Sequence, residues 1–426
     1  MKVTYFVNAM LYFEGAQTTV LCDPWVTFDR SSSSGLYNFP ECGLTRDDVR
    51  SLAPDYIYIT HTHADHFDPE TLSLFDRSTP ILVAWYENNF TERNIRNLGF
   101  TDIRVVDPVA GIPLNGDDHC WLEANAIYPD VDSLGVFRID GQTVLNANDN
   151  PFDEAQCASL HERFGSVDLA CVPFAFQGPY PAFYDNLSDA EKLAVAAEKA
   201  ERNYAILHRF CETLAPKRYF PFAAGAVYGG AKALDYPFYG VGTAEDAVAY
   251  AREHGFRQDP VMMSAHNSFD LTSGICEGTY VPESHAGAHD YLEAVAKLPG
   301  MFDEGQAFWI APEHRVDLTP VLERARQRQH EWQVRRGIES DWAFYLDVGD
   351  ERLYRLSLAD VSVSRVREAD IADERFEIFR MPYPLLVGLL TRHFNFSNVK
   401  TQNMRFYRRP NEFQADLHIL MSFLQV

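Results

Sequence analysis

Short apolar runs alternate with turn residues along the first third of the chain. Such runs, when they are rich in β-branched and aromatic side chains and bounded by Gly, Pro, Asn or Asp, predict β-strands. The strands predicted in this region cover residues 3–7, 18–22, 56–60, 81–85, 121–128, 136–139 and 144–146. A helix is predicted over residues 69–75. The pattern therefore indicates a first third that is dominated by strands.

The middle of the chain mixes strands with longer helices. An apolar strand is predicted at residues 169–173, and the clearest helix of the chain follows it. Ser188 and Glu191 form a capping box at the start of this helix, because each side chain can satisfy a free backbone N–H. Apolar residues then recur at helical spacing until Pro216, which cannot continue a helix. Further elements are predicted at residues 219–222 (strand), 243–253, 289–297 and after 317 (helices).

The predicted secondary structure changes from helices to strands near residue 341. Strands are predicted at residues 343–348, 353–358 and 361–366, and two helical runs follow at 385–390 and 411–424. We therefore predict two domains. The first, residues 1–340, holds any functional site, and the second, residues 341–426, is a small α+β unit.

The acidic composition of the chain excludes some classes of binding partner. The chain has 37 basic and 61 acidic residues, a net charge of −24, and 46% hydrophobic residues, enough for a sizeable core. This charge repels phosphate backbones and anionic lipid, so neither nucleic acid nor a membrane is an expected partner. The seven cysteines include no Cys-x-x-Cys pair, which favours reduced thiols and a cytoplasmic location. No signal peptide and no transmembrane run is apparent.

The segment from His61 to His66, which reads His-Thr-His-Ala-Asp-His, concentrates four metal-capable side chains within six residues. It follows an apolar run that is predicted to be a core strand. Two histidines at positions i and i+2 face the same way when the backbone stays extended, while Asp65 and His66 can turn toward a second position. Clusters of this kind mark metal sites. The sequence therefore predicts two adjacent metal ions, with His61, His63, Asp65 and His66 among their ligands.

This motif, at the end of an apolar strand, resembles the metallo-β-lactamase superfamily. The resemblance implies an α/β fold, an αβ/βα four-layer sandwich with two metals held by loops at one edge of the sheets. It also implies a third histidine, a bridging aspartate and a last histidine. Asp149, in an Asn-rich turn after a strand, is the candidate bridging ligand.

Two of the implied histidines are missing from this chain. Tyr128 stands near the place of the third, with Glu123, Asp130 and Asp132 nearby. The place of the last histidine holds only small residues such as Ala224, and His266 is the candidate replacement. Loss of imidazole ligands makes a harder site, which suits iron or manganese better than zinc.

Several other segments resemble the CMP-N-acetylneuraminate hydroxylase-like branch of that superfamily. They are the turn at residues 145–149, the helix end and strand at 214–223, and the run at 384–392. The hydroxylase has a Rieske iron–sulfur domain, which requires Cys-x-His and Cys-x-x-His. No cysteine in this sequence is followed by histidine at either spacing. If the chain is an oxygenase, as the resemblance implies, its electrons come from a separate reductase or ferredoxin, or from the substrate.

Three functions stay open at this point. The first is a non-haem diiron monooxygenase that hydroxylates a small organic substrate, in natural-product or sugar metabolism, with Asp65 and Tyr128 as catalytic side chains. The second is a metal-dependent hydrolase of an ester, lactone or phosphodiester, in which Asp65 orients a metal-bound hydroxide. The third is a degenerate binding protein without catalysis. Aromatic segments at residues 174–184 and 236–239 either wall a substrate pocket or belong to the core.

Overall fold

The computed structural model describes most of the chain. The described residues are 1–30, 32, 35–86, 90–127, 132–176, 178–230, 234–235, 238, 240–282, 285–394, 396 and 403–426. Three sheets larger than a single strand pair are formed by these residues, two in the first part of the chain and one in the last.

The first large sheet is built mainly from the N-terminal strands. Its members are β1 (Lys2–Val7), β2 (Met10–Glu14), β3 (Thr19–Cys22), β5 (Tyr56–Tyr58), β6 (Ile81–Ala84), β7 (Ile103–Val106), β16 (Ser268–Asp270) and β17 (Ile275–Glu277). They lie in the order β17-β16-β1-β2-β3-β5-β6-β7. Four neighbouring strands, β3, β5, β6 and β7, are parallel to one another, so their carboxyl ends share one edge of the sheet.

The second large sheet faces the first. Its members are β8 (Ile112–Pro113), β9 (His119–Ala124), β10 (Ser133–Ile139), β11 (Gln142–Asn146), β12 (Leu169–Pro173), β13 (Arg218–Phe222) and β15 (Asp259–Pro260). They lie in the order β15-β13-β12-β11-β10-β9-β8. A small sheet pairs β4 (Leu36–Asn38) with β14 (Ala226–Tyr228).

Helices cover the outer face of each large sheet. The first sheet is covered by α1 (Arg46–Leu52), α2 (Pro69–Leu72) and α3 (Phe90–Asn97), and the second by α4 (Glu154–Phe164), α5 (Asp189–Leu214) and α6 (Ala244–Glu253). Adjacent residues of one strand show the layering, because side chains alternate between the faces of a sheet. Phe137 packs in the core between the two sheets, whereas Val136 packs against the helices. The result is the αβ/βα four-layer sandwich that the sequence predicts.

The C-terminal unit is a five-stranded sheet with helices. Its strands are β18 (Ala343–Asp347), β19 (Leu353–Ser357), β20 (Val363–Val366), β21 (Phe376–Arg380) and β22 (Arg405–Arg409), in the order β20-β19-β18-β21-β22. The remaining helices of eight or more residues are α7 (His289–Ala296), α8 (Thr319–Arg335), α9 (Tyr383–Leu390) and α10 (Ala415–Ser422).

The helix α8 packs with the C-terminal sheet. Its residues Leu322 and Ala325 lie in the same apolar cluster as Leu346 and Leu356 of that sheet. Trp25, near the metal-capable motif, belongs to this cluster as well. The boundary predicted at residues 340/341 therefore falls between a helix and the sheet on which it packs, and the division into two domains stays a prediction.

No helix of the described segments has the length and apolar character that crossing a lipid bilayer requires.

Candidate metal centre

Loops at one edge of the two facing sheets bring the candidate ligands together. Asp23 follows β3 and His61 follows β5 by three residues, and these strands are parallel neighbours. Asp149 follows β11, and Asp132 immediately precedes β10. Because β10 runs antiparallel to β11, its beginning lies beside the end of β11. The sheet topology thus joins residues that are far apart in the sequence.

The first group of ligand atoms consists of His61, His63 and Asp132, whose donor atoms all lie within 4.8 Å of one another. The Nε2 atom of His61 lies 2.6 Å from Nδ1 of His63 and 3.6 Å from Oδ1 of Asp132. The His61 side chain is fully buried. Two imidazole nitrogens that face each other beside a carboxylate are the arrangement that a shared metal ion requires.

The second group consists of His61, His66 and Asp149, again within 4.8 Å. Asp149 places Oδ1 at 3.8 Å from Nε2 of His61 and Oδ2 at 3.7 Å from Nε2 of His66. Asp65 adds an oxygen at 3.4 Å from the same His66 nitrogen. The two oxygens of the Asp149 carboxylate therefore face His61, which belongs to both groups, and His66, which belongs to the second. A bridging ligand needs this geometry.

Buried partners fix the orientation of the two histidine rings that lie deepest. Asp23 accepts from Nδ1 of His66 at 2.9 Å, from the backbone N–H of Thr60 at 2.8 Å and from the Thr60 hydroxyl at 2.7 Å. The Thr60 oxygen in turn lies 2.9 Å from Nδ1 of His61. Both rings thus direct Nε2 toward the other ligands, the usual arrangement behind metal-binding histidines.

Asp65 is oriented by Asn8, which lies between β1 and β2. The Asn8 amide donates to Asp65 Oδ2 at 3.1 Å, and its carbonyl oxygen accepts from the backbone N–H of Gly225 at 3.1 Å. A Cβ at Gly225 would lie 2.6 Å from the backbone nitrogen of Asn8, so this close approach requires glycine. The small-residue loop after β13 therefore serves packing around Asp65.

The charges of the centre influence one another strongly. Burial favours neutral His66, but Asp65, Asp149 and Asp23 outweigh it and raise the pKa of His66 well above its usual value. For Asp65, burial is outweighed by the charge and hydrogen bond of His66, and the pKa of Asp65 is lowered. Burial raises the pKa of Asp149 to about 6. The three carboxylates therefore favour a positive charge at His66, and a bound metal ion would supply such a charge.

These residues fit a pair of metal ions. The two groups share His61, so they offer three histidines (His61, His63 and His66) and the carboxylates of Asp132 and Asp149. Asp65 is available as a further oxygen ligand. Within the described part of the chain, the buried Oδ1 atom of Asp149 has no hydrogen-bond donor. An unsatisfied buried carboxylate oxygen is costly, and a cation removes that cost.

The structure brings most of the predicted ligands together. His61, His63, Asp65, His66 and Asp149 all lie in the centre. His266 does not, because its Nε2 lies 2.6 Å from the carbonyl oxygen of Cys42 and its ring packs against Phe6. The prediction that His266 supplies the last ligand is therefore corrected. Tyr128 lies outside the described residues.

Two members of the centre were not assigned from the sequence. Asp132 was noted only as a neighbour of the missing third histidine, and it is the carboxylate of the first group. Asp23 directly follows the strand predicted at residues 18–22, and nothing in the sequence assigns it a role. A buried aspartate at a strand end with a left-handed φ of 43° is the signal, but burial and φ are visible only in the structure.

The aromatic segments fall in the core rather than on a large pocket. Phe174 packs under α5, and Phe183 and Tyr184 lie in the cluster shared with the C-terminal sheet. In the segment 236–239 only Phe238 is described, and its ring stacks on His285. The large cavity, of about 840 Å³, lies elsewhere, with Ala64 of the motif in its wall.

Comparison with known proteins points to one superfamily. Residues 2–122 match the model of the Beta-lactamase superfamily domain. A Mycolicibacterium smegmatis protein named for a Rieske 2Fe-2S iron–sulfur centre is 31% identical over 212 residues, which cover 47% of this chain and 39% of that protein. The cytidine monophosphate-N-acetylneuraminic acid hydroxylase of Danio rerio is 26% identical over 238 residues, which cover 52% of this chain and 38% of that protein.

A solved structure of a possible metal-dependent hydrolase from Veillonella parvula aligns with a TM-score of 0.46 and 15% identity, covering 63% of this chain and 98% of that chain. The chain spans about two fifths of the length of the two curated relatives.

Proposed function

We propose that the chain, whose residues 2–122 match the model of the Beta-lactamase superfamily domain, is a diiron monooxygenase that hydroxylates a small organic substrate. The relatives include CMP-N-acetylneuraminic acid hydroxylases, which supports an oxygenase. The proposal names iron as the metal and a separate reductase or ferredoxin as the electron donor.

The observation on which the proposal rests is the composition of the first ligand group. Asp132 stands with His61 and His63 where a third histidine is expected in this superfamily. Two histidines with one carboxylate and open positions form the ligand set of non-haem iron oxygenases. The first group in this chain has that composition, which favours iron there. His61 is shared by both groups, and the second group adds His66, Asp149 and Asp65.

The proposed reaction needs electrons from outside the chain. One atom of O₂ enters a C–H bond of the substrate and the other leaves as water, so two electrons and two protons are consumed. When bound, the two irons supply the redox chemistry that activates O₂. In this proposal a reductase or ferredoxin delivers the electrons.

The side chains of this chain divide the remaining tasks. His61, His63 and Asp132 would hold the first ion, and Asp65 and His66 would hold the second. Asp149, whose oxygens face His61 and His66, would serve both. Asn8 and Asp23 are positioning residues, since each hydrogen-bonds a ligand rather than the reacting atoms.

A hydrolase is the second candidate, and the unbroken run from His61 to His66 favours it. Two histidines and a carboxylate also bind catalytic zinc, which lowers the pKa of bound water to about 7. In that reaction Asp65 would orient the attacking hydroxide. The two candidates differ in their metal and in their need for O₂.

One experiment separates them. The protein is purified anaerobically, its metals are counted, and O₂ consumption is followed after addition of a chemical reductant. We expect two irons per chain and reductant-dependent O₂ uptake, and we expect both to fall in Asp132→Ala. Arg96→Gln, an exposed change on α3, is the matched control.

Two zinc ions and no O₂ uptake would overturn the oxygenase and favour the hydrolase. A chain without stoichiometric metal would overturn both and leave a binding protein.

A further inference from the structure

The cavity of about 840 Å³ lies between the metal-capable loop and the C-terminal unit, and we name it the Ala64 cavity after the motif residue in its wall. Ala64 lies in the chain between His63 and Asp65, so the cavity wall at Ala64 is formed by the loop that carries the candidate metal ligands. Aromatic residues line much of the remainder, among them Trp25, Phe67, Phe90 and Phe308. An apolar or aromatic compound fits such walls.

The acidic residues of the Ala64 cavity are already engaged. Arg46 binds Asp29 at 2.7 Å and Glu70 at 2.5 Å. Asp68 caps α2 by accepting from the backbone N–H and the hydroxyl of Thr71. Among the described residues, these three carboxylates pair with neither Arg93 nor Arg392.

The basic residues of the cavity are not balanced in the same way. Arg30 pairs with Glu41 at 3.1 Å. Arg93 and Arg392, in contrast, form no ion pair and donate no side-chain hydrogen bond to any residue that the structure describes. Burial and the neighbouring charge of Arg392 both lower the pKa of Arg93. In a chain of net charge −24, two arginines that line one cavity and have no carboxylate partner among the described residues are unusual.

The fold fixes the side chain of Arg93 and the backbone position of Arg392. Arg93 lies in α3 with its guanidinium 5.0 Å from the centre of the Phe90 ring. The Phe90 ring in turn lies 5.8 Å from that of Phe423, so α3 contacts the end of the chain. Arg392 follows α9 with a left-handed φ of 62°. The backbone N–H of the next residue bonds to Gly388, which closes the end of the helix.

We propose that the Ala64 cavity binds the substrate and that Arg93 and Arg392 together bind an anionic group on it, a carboxylate or a phosphate ester. Guanidinium groups match these anions with paired hydrogen bonds. The aromatic wall receives the apolar body of the molecule, which extends toward Ala64. The substrate class is thus an organic anion with an apolar or aromatic body, and this part rests on the proposed function.

Binding is tested on the full-length protein with its metals, with benzoate and phenyl phosphate as probes and benzyl alcohol as the neutral comparison. Titration calorimetry is applied to the wild type, Arg93→Gln, Arg392→Gln and Arg96→Gln. Arg96 lies on the same helix and pairs with Glu92 outside the cavity. Thermal unfolding midpoints verify that each variant is folded.

We expect at least one anionic probe to bind, with affinity falling about tenfold or more in Arg93→Gln and in Arg392→Gln, the typical loss of a charged hydrogen bond. Arg96→Gln should retain wild-type affinity. The preferred probe then identifies the anion as carboxylate or phosphate.

No binding of either anion, equal affinity in all four proteins, or an equal loss in Arg96→Gln would overturn the inference. The metal and O₂ measurements are independent of these titrations. Arginine-dependent binding in a protein that holds zinc would preserve the anion site and reject the oxygenase.

Discussion

His66 is held in its orientation by Asp23, whose Oδ2 atom accepts from the Nδ1 atom of the ring at 2.9 Å. Asp23 lies forty-three residues before His66 and is fully buried at the end of β3. This bond fixes the proton on Nδ1 and leaves Nε2 to face Asp65 and Asp149. A carboxylate behind a histidine raises the basicity of the nitrogen that binds metal.

Asp23→Asn should therefore weaken metal binding without removing a ligand. We expect about a 10- to 100-fold loss of affinity for one of the two ions, the usual effect of changing a residue behind a ligand. Competition with a chromophoric chelator measures this affinity. Asp55→Asn is the control, because Asp55 is an exposed carboxylate that accepts from Thr19. Wild-type affinity in Asp23→Asn would contradict the role of the hydrogen bond.

The two proposed ions can be separated by changing one ligand at a time. His63→Ala should lower the metal content to about one ion per chain, since His63 belongs only to the first group. Asp149→Ala should affect both ions, because its two oxygens face both groups. Elemental analysis after dialysis gives the counts.

His266→Ala is the informative control for these variants. His266 bonds to the Cys42 carbonyl and lies outside both ligand groups, so this variant should retain both ions. Full metal content in His63→Ala or in Asp149→Ala would contradict the assigned ligands, and loss of metal in His266→Ala would restore His266 as a ligand.

The sequence predicts the contiguous half of the centre well and the dispersed half poorly. The run from His61 to His66 is recognisable because four ligands and their strand lie together. Asp132 and Asp23 join them only through the pairing of β10 with β11 and of β3 with β5. Periodicity does not reveal which strand ends meet, so these residues looked like ordinary loop aspartates.

His266 shows the opposite error. His266 is the candidate that the sequence offers for the missing last histidine, yet its backbone adopts a left-handed φ of 67° and its ring bonds to a carbonyl. Short strands were missed for a related reason. The strands β4 and β14 have three residues each, too few to show alternation, whereas the long α5 was predicted from its capping box and spacing.

Arg326 is expected to stabilise the attachment of α8 to the C-terminal sheet. Its fully buried guanidinium donates to the carbonyl oxygens of Ser357 at 2.7 Å and Asp360 at 2.8 Å, and to the side chain of Gln333 at 2.9 Å. Arg326→Ala leaves the buried acceptors of Ser357 and Gln333 without this donor, which should cost about 3 kcal/mol of unfolding free energy. Urea unfolding followed by circular dichroism measures the change.

Arg328→Ala provides the matched comparison on the same helix. The Arg328 side chain is exposed, so its loss should change the unfolding free energy by less than about 0.5 kcal/mol. If the two variants were equally stable, the hydrogen bonds of Arg326 would not contribute as argued.

The ion pair between Arg355 and Asp373 gives a prediction with a defined pH dependence. Arg355 donates to both oxygens of Asp373 at 2.7 Å, and Tyr345 donates as well. These hydrogen bonds, with that of Arg355 the largest effect, lower the pKa of Asp373 in the folded protein. The unfolded chain has the ordinary value of about 3.9. The carboxylate therefore contributes stability above this pH, and the contribution is lost as the pH falls through the lower, folded-state pKa.

Asp373→Asn should thus lower the unfolding free energy by about 1 kcal/mol at pH 7, since the ion pair with Arg355 is bidentate but partly exposed. The difference from the wild type should shrink as the pH is lowered below about 4. Urea unfolding at a series of pH values measures both proteins. Asp370→Asn, which breaks a more exposed pair with Arg367, should have a smaller effect at every pH. A difference between Asp373→Asn and the wild type that stayed constant down to acid pH would mean that the charge of Asp373 does not contribute.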